Sequence, residues 1–241
     1  MNVLVVGAGA MGRWFAESVD SEVAFADADP EAAADAASDV GGRAVALSTA
    51  ETFTAVCVAV PMPAASEAIA EHAGNAEEAL VDVTGVMAGP VAAMAEHAPD
   101  CERASLHPLF GPESAPGNVA VVVDSSGPVT DELLAALATR GNDLVETTPE
   151  EHDDAMETVQ ASAHAAVLAF ALAAGPVPDG LTTPVYDRLA ELADQVAGGD
   201  PRVYADIQSE FGGADGVATA ARRLADADPA TFERLYEEVR E

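Results

Sequence analysis

The chain has 241 residues, enough for one large or two small domains, and its 49% apolar but only 5% aromatic content calls for a core of Ala, Val and Leu. Against 42 acidic residues stand 10 basic ones, all arginine, for a formal net charge of −32, which excludes nucleic acid and anionic membranes as partners of the general surface. The acids are spread along the chain and interleaved with apolar periodicity, which favours a folded, salt-adapted cytoplasmic protein over a disordered acidic tail.

The first apolar run, residues 2–6, reads as a strand that follows Met1 with no leader sequence between. Further strand-like runs at 22–26, 44–46, 55–60, 79–83, 119–123 and 144–147 alternate with Ala-rich helical stretches at 11–18, 30–38, 64–72, 89–96 and 128–139. That alternation predicts an α/β fold: a Rossmann-like, doubly wound, mainly parallel sheet. After Thr148 no further strand is evident. Pro149, Glu150 and Glu151 open a long helix to about Ala174 that Gly175-Pro176 stops. Thr183-Pro184 caps the next helix, to about Ala197, and further helices follow Gly198-Gly199-Asp200-Pro201. The expected organisation is therefore a nucleotide-binding domain over 1–148 and an all-helical domain over 149–241. The longest apolar stretch, around 161–175, is under 18 residues and reads as too short for a bilayer. Cys57 and Cys101 form neither a disulfide framework nor a metal motif; Cys57 reads as a buried structural residue. His72 and His97 close amphipathic helices and read as surface residues.

Gly7-Ala8-Gly9-Ala10-Met11-Gly12 follows the first strand and opens a helix, the context in which a GxGxxG string binds a dinucleotide. Gly7 permits the turn, Gly9 admits the pyrophosphate, and Gly12 lets the helix pack on the sheet. The amides at the helix start, at Ala10 and Met11, point at the phosphates. Arg13 either neutralises pyrophosphate charge or is a surface arginine. Asp27 ends the second strand, 20 residues after Gly7, where a carboxylate accepts from the adenosine ribose hydroxyls. It would repel a 2′-phosphate, so the expected cofactor is NAD rather than NADP. Asp29 suits a turn and helix-cap role. Val60 and Pro61, at the end of the fourth strand, would line the nicotinamide side.

Ser105-Leu106-His107-Pro108-Leu109-Phe110-Gly111-Pro112 cannot be helical and reads as a rigid, extended or turning loop. A histidine held there is suited to proton transfer, although a loop histidine of structural use has the same appearance. Gln160 and His164 are four apart on the long helix among small residues and face either a ligand cavity or another helix. His152 reads as a capping or surface residue. No grouping has metal-ligand spacing.

Together these stretches resemble the prephenate dehydrogenase family, especially its archaeal, halophile-like branch. The matching segments are GAGAMGRWF at 7–15, AVPMP at 59–63, LVDVTGVM at 80–87, HPLFGP at 107–112, EEHD at 150–153 with VQASAH at 159–164, and DPRVYADIQ at 200–208. The family oxidatively decarboxylates prephenate to 4-hydroxyphenylpyruvate in tyrosine biosynthesis. By that resemblance His107 accepts the proton of the ring hydroxyl as hydride leaves for the nicotinamide, and loss of CO2 makes the ring aromatic. His164 looks like the family's substrate-binding histidine. The helical domain looks like its dimerisation module, which implies a homodimer. The family's Ser and Lys after the fifth strand are here Gly85 and Met87, with Thr84 the nearest hydroxyl. Its carboxylate-binding Arg is here Gln195, with Arg188 and Arg202 as candidate replacements. Prephenate and arogenate therefore both stand as substrates. A hydroxyacid dehydrogenase is disfavoured because the chain has no lysine. An imine reductase would not call for His107-Pro108, and a non-catalytic NAD-binding regulator would not call for His107 with His164.

Overall fold

The structure is a computed structural model that describes residues 1–178 and 180–240. Eight strands form one sheet in the order β3-β2-β1-β4-β5-β6-β7-β8. Strands β1 (Asn2–Val6), β2 (Glu22–Ala26), β3 (Arg43–Ala44), β4 (Phe53–Val58), β5 (Ala76–Asp82) and β6 (Glu102–Pro108) run parallel. Strand β7 (Asn118–Ser125) is antiparallel to β6, and β8 (Asp143–Glu146) is parallel to β7. This is the Rossmann-like, mainly parallel sheet that the sequence predicts. Strand β1 pairs with β2 on one side and β4 on the other. A parallel strand covered on both faces needs a continuous apolar run, and Val3, Leu4 and Val5 are fully buried.

Five helices cover the faces: α1 (Ala10–Ser18), α2 (Pro30–Val40), α3 (Ala65–His72), α4 (Ala88–His97) and α5 (Pro128–Thr139). On one face Phe15, Leu133 and Leu137 pack with Val5, Phe25 and Val81. On the other, Ile69 and Met94 pack with Leu4, Val56 and Leu80. Asp29 caps α2 by accepting from the Glu31 amide at 2.9 Å, with Pro30 at the first helical position.

Three local expectations are corrected. Of the stretch 105–112 read as a loop, residues 105–108 are the end of strand β6. The His-Pro step looks like a breaker, yet Pro108 is the strand's last residue, and the segment is fixed by pairing on both sides. His72 is buried, with Nδ1 3.2 Å from Asn75 Oδ1. Finally, the apolar stretch around 161–175 belongs to a helical run, Pro149–Ala173, of 25 residues, which is long and apolar enough to cross a membrane.

That run consists of α6 (Pro149–Met156), a π-helical turn over Glu157–Ser162, and α7 (Ala163–Ala173). Then follow α8 (Pro184–Ala197), α9 (Pro201–Phe211), α10 (Ala214–Ala225) and α11 (Pro229–Glu238). Thr183, Asp200 and Asp228 cap α8, α9 and α11, each followed by a proline. Among the described residues no strand follows β8. The chain divides into compact units Met1–Asp153 and Asp154–Glu241, five residues beyond the predicted boundary; residue 241 lies outside the described residues. Asp153 falls in the first unit because its carboxylate is bonded to the start of α4.

Candidate active site

The glycine loop joins β1 to α1. Gly7 has φ +103°, and a Cβ there would collide with the Ala59 carbonyl at the end of β4. A Cβ on Gly12 would strike the Gly7 carbonyl, so the turn closes only with glycine at both places. At Gly9 a Cβ would meet nothing within 4 Å. No side chain caps α1, which leaves the positive end of the helix to an anion. Asp27 Oδ2 accepts from the Ala8 amide at 2.7 Å and Oδ1 from the Asp29 amide at 2.9 Å, which ties the carboxylate to the loop. The Arg13 guanidinium is engaged: Nε donates to the Ala8 carbonyl at 3.1 Å and Nη1 pairs with Asp39 on α2. Its charge is thus taken up in latching α1 to α2. Val60 is half-buried and Pro61 exposed just beyond β4. The turn, the open approach at Gly9, the uncapped helix and the Asp27 carboxylate fit a dinucleotide.

His107 ends up near the carboxyl edge of the sheet, one residue before the end of β6, and is 8% exposed. Its Nδ1 lies 2.8 Å from Nε2 of His152, which is itself 3% exposed on α6. The rings meet edge to face, 5.0 Å between centroids. His152 Nδ1 lies 2.7 Å from Asp153 Oδ1. Asp153 also accepts from the Met87 amide at 3.1 Å and the Ala88 amide at 3.0 Å, at the start of α4. Partial burial pushes this carboxyl up, but the bonds from His152, Ala88 and Met87 outweigh it and hold it below the ordinary carboxylate range. Burial, reinforced by the neighbouring His152, lowers His107 to about 3 against the pull of Asp153. His107 is therefore neutral at pH 7, and its proton affinity is well below that of a free imidazole.

The turn after β5 closes over this histidine. Gly85 has φ +92°, and a Cβ there would lie 3.4 Å from His107 Nε2 and 3.6 Å from Met62 Sδ. The Nε2 edge of the imidazole thus faces the loops that follow β5 and β4. The Thr84 hydroxyl donates to Asp82 Oδ1 at 2.7 Å, so it serves the end of β5. Asp82 is fully buried, and burial raises its carboxyl to about 6 despite the Thr84 bonds and the nearby His152.

The remaining predicted site residues belong to the second unit. Gln160 is half-buried in the π-helical turn. His164, also half-buried, stands on Tyr204 of α9 edge to face at 4.9 Å, and burial lowers its pKa. Gln208 of α9 donates to the Ala161 carbonyl at 2.6 Å, and Gly213 packs against Ala161 and Ser162, so the π-helical turn is braced from outside. Gln195 and Arg188 are exposed on α8, and Arg202 is exposed at the start of α9. Sequence reasoning missed His152, Asp153 and Asp82. The adjacent His-Asp pair after Pro149-Glu150-Glu151 was visible but had the appearance of a helix cap.

Comparison with known proteins decides the family. Residues 13–124 match the family described as prephenate dehydrogenase, nucleotide-binding domain. A 4-amino-4-deoxyprephenate dehydrogenase of Streptomyces pristinaespiralis is 35% identical, over 99% of this chain and 89% of its own length. The chain belongs to the prephenate dehydrogenase family. A probable arogenate/prephenate dehydrogenase of Methanocaldococcus jannaschii is 25% identical over 85% of this chain, and the match spans about half the length of that relative, 50%. The fold is shared with prephenate dehydrogenase from A. aeolicus, solved with hydroxyphenyl propionate and NAD+ (TM-score 0.73, 18% identity, 99% of this chain and 92% of that one). The first unit is therefore the nucleotide-binding domain of a dehydrogenase, as the glycine loop indicates.

Proposed function

We propose that this chain is an NAD-dependent dehydrogenase that converts prephenate to 4-hydroxyphenylpyruvate and CO2. The observation that carries the reading is the buried, neutral His107 at the carboxyl edge of a nucleotide-binding sheet, bonded through Nδ1 and presenting its Nε2 edge to the loops after β4 and β5. NAD, when bound by the Gly7–Gly12 turn and Asp27, supplies a nicotinamide that takes up the hydride. His107 accepts the proton of the ring hydroxyl at Nε2 as the C–H bond breaks, which leaves a ketone. The C–CO2 bond then breaks, its electron pair completes the aromatic ring, and the phenolate oxygen recovers a proton. His164 and Tyr204, in edge-to-face contact, and Gln160 one turn earlier are the candidates in the second unit for the substrate's side chain. Gln195, Arg188 and Arg202 are the candidates for its carboxylates.

Two further substrates share the ring chemistry: arogenate, and 4-amino-4-deoxyprephenate, the substrate in the name of the 35% identical relative. Each carries a ring C–H bond beside a proton-bearing oxygen or nitrogen and, across the ring, a carboxylate that can leave as CO2. The test is to purify the chain in high salt and follow NADH formation with each of the three compounds. A rise with prephenate alone supports the proposal, a rise with another compound reassigns the substrate, and no rise with any of them sinks it. NADP in parallel tests the role of Asp27.

We further propose a homodimer through the second unit. None of the residues of α7 is buried, although the helix is almost wholly apolar, and Leu172 is 89% exposed. A second copy is a better cover than a bilayer, because the amino end of the same helical run is tied into the first unit by His152 and Asp153. Sedimentation in high salt without detergent should give twice the chain mass. We place the protein in the cytoplasm, a compartment compatible with the free thiols of Cys57 and Cys101.

A further inference from the structure

We infer that His152 and Asp153 are positioning residues for His107: they fix its tautomer, with the proton on Nδ1 and the lone pair on Nε2. The inference rests on the reading of His107 as the base.

The argument follows the hydrogen bonds outward from the carboxylate. Asp153 accepts two backbone amides at the start of α4 and is held below the ordinary carboxylate range, so at neutral pH it is ionised and can only accept. The bond at 2.7 Å then requires His152 Nδ1 to donate. A neutral imidazole with its proton on Nδ1 presents a lone pair at Nε2. The contact at 2.8 Å therefore requires His107 Nδ1 to donate. His107 in turn keeps its lone pair on Nε2, the edge that faces Gly85 and Met62. Every proton in the chain is placed by its neighbour, and the first is placed by a carboxylate anchored to a helix N-terminus.

The same contacts fix orientation. His107 comes from β6, His152 and Asp153 from α6, and the two amides from the start of α4. Capping α4 would explain Asp153 alone. It does not explain a 3% exposed histidine whose two nitrogens are spent on the carboxylate and on the base. When His107 accepts a proton at Nε2, the Nδ1–H stays aimed at His152, and the charge is shared toward Asp153. Asp153 pulls toward the charged ring, against the burial that lowers the proton affinity of His107, although burial prevails.

The test has two arms. In the first, long-range nitrogen–proton correlation spectra of 15N-histidine protein at neutral pH report the tautomer of each ring, assigned through His107→Gln and His152→Gln. His107 and His152 should both carry the proton on Nδ1. A proton on Nε2 of His107, which a doubly protonated His152 would also produce, overturns the inference. This arm needs no substrate, so it stands even if the proposed reaction fails. In the second arm, Asp153→Asn leaves one acceptor oxygen for His152 and the two amides of α4 and removes the charge that obliges His152 Nδ1 to donate; kcat should fall about 100-fold or more while KM and NAD affinity change less than about 3-fold. His152→Gln keeps an acceptor for His107 Nδ1 and should retain more activity than His152→Leu. Equal kcat in the wild type and Asp153→Asn, or in the Gln and Leu variants, overturns the inference.

Discussion

At the scale of single residues, the site holds two groups whose burial moves them in opposite senses for stability. Asp82 takes up its proton near pH 6 when folded but near 3.8 in the ordinary state. A raised acid favours folding only while it is protonated, so its contribution is present below pH 3.8 and lost as pH rises through 6. Replacing it by Asn keeps an acceptor for the Thr84 amide and hydroxyl and removes the buried charge. Asp82→Asn should therefore stabilise the fold above pH 6 by an amount on the order of 3 kcal/mol, and hardly at all near pH 4. Thermal unfolding followed by circular dichroism at both pH values checks it, and an equal gain at both would refute the argument. His107 behaves in the other sense. Its pKa falls from 6.5 to about 3, so the stability it contributes is complete above 6.5 and is lost as pH falls toward 3. His107→Asn should abolish turnover, leave NAD affinity nearly intact, and flatten the loss of stability on the acid side. If NAD binding falls as far as turnover, His107 is structural rather than the base.

At the scale of elements, the glycine loop separates folding from binding. Gly9→Ala adds a methyl group that meets no atom of the chain, in a residue with φ −70° that tolerates a side chain. It should cost about 1 kcal/mol or less in stability, yet raise the Kd for NAD about 10-fold or more, because the methyl would stand in the path proposed for the pyrophosphate. Gly12→Ala should instead destabilise the whole unit, since its Cβ has the Gly7 carbonyl in its way. Calorimetry for NAD and a melting curve for each variant separate the two outcomes; a Gly9→Ala protein that binds NAD normally would remove the loop from the cofactor site. The need for glycine at positions 7 and 12 was legible in the sequence because it is local. So were the cap at Thr183 and the strands 2–6 and 22–26, which coincide with β1 and β2. Strand β6 was not legible, because His107-Pro108 has breaker chemistry and only pairing to β5 and β7 makes the segment a strand. The π-helical turn at 157–162 was hidden for a related reason: Gln208 and Gly213, some fifty residues away, brace it. His152 was misread because a polar residue in the first turn of an acidic helix has the pattern of a cap whether or not it is buried.

At the scale of the whole molecule, charge dominates. Ten arginines face 42 acids, and among the described residues five of those arginines (Arg13, Arg43, Arg103, Arg223 and Arg240) already sit in ion pairs with an acid. Most of the acids therefore have other acids as their charged neighbours. Two like charges about 12 Å apart in water repel by roughly 0.3 kcal/mol. Over a net charge of −32 such terms sum to several kcal/mol, comparable with the stability of a domain. Unfolding relieves the repulsion by moving the charges apart. Salt relieves it in the folded state, since the screening length shrinks from about 10 Å at 0.1 M to about 3 Å at 1 M. Salt also weakens the exposed ion pairs, but each of those is worth about 1 kcal/mol at most, and they are far fewer. The net sign is stabilising. Raising KCl from about 0.1 M to about 2 M should lift Tm by roughly 10 °C, taking several kcal/mol at 2–4 °C each. An uncharged osmolyte that is excluded from protein surfaces also raises Tm, but without screening. The comparison that decides is KCl against such an osmolyte on the wild type and on a variant with several exposed acids changed to Asn or Gln. Screening predicts that the variant loses much of its response to KCl and keeps its response to the osmolyte; equal responses in the two proteins would show that repulsion between the carboxylates is not what salt relieves.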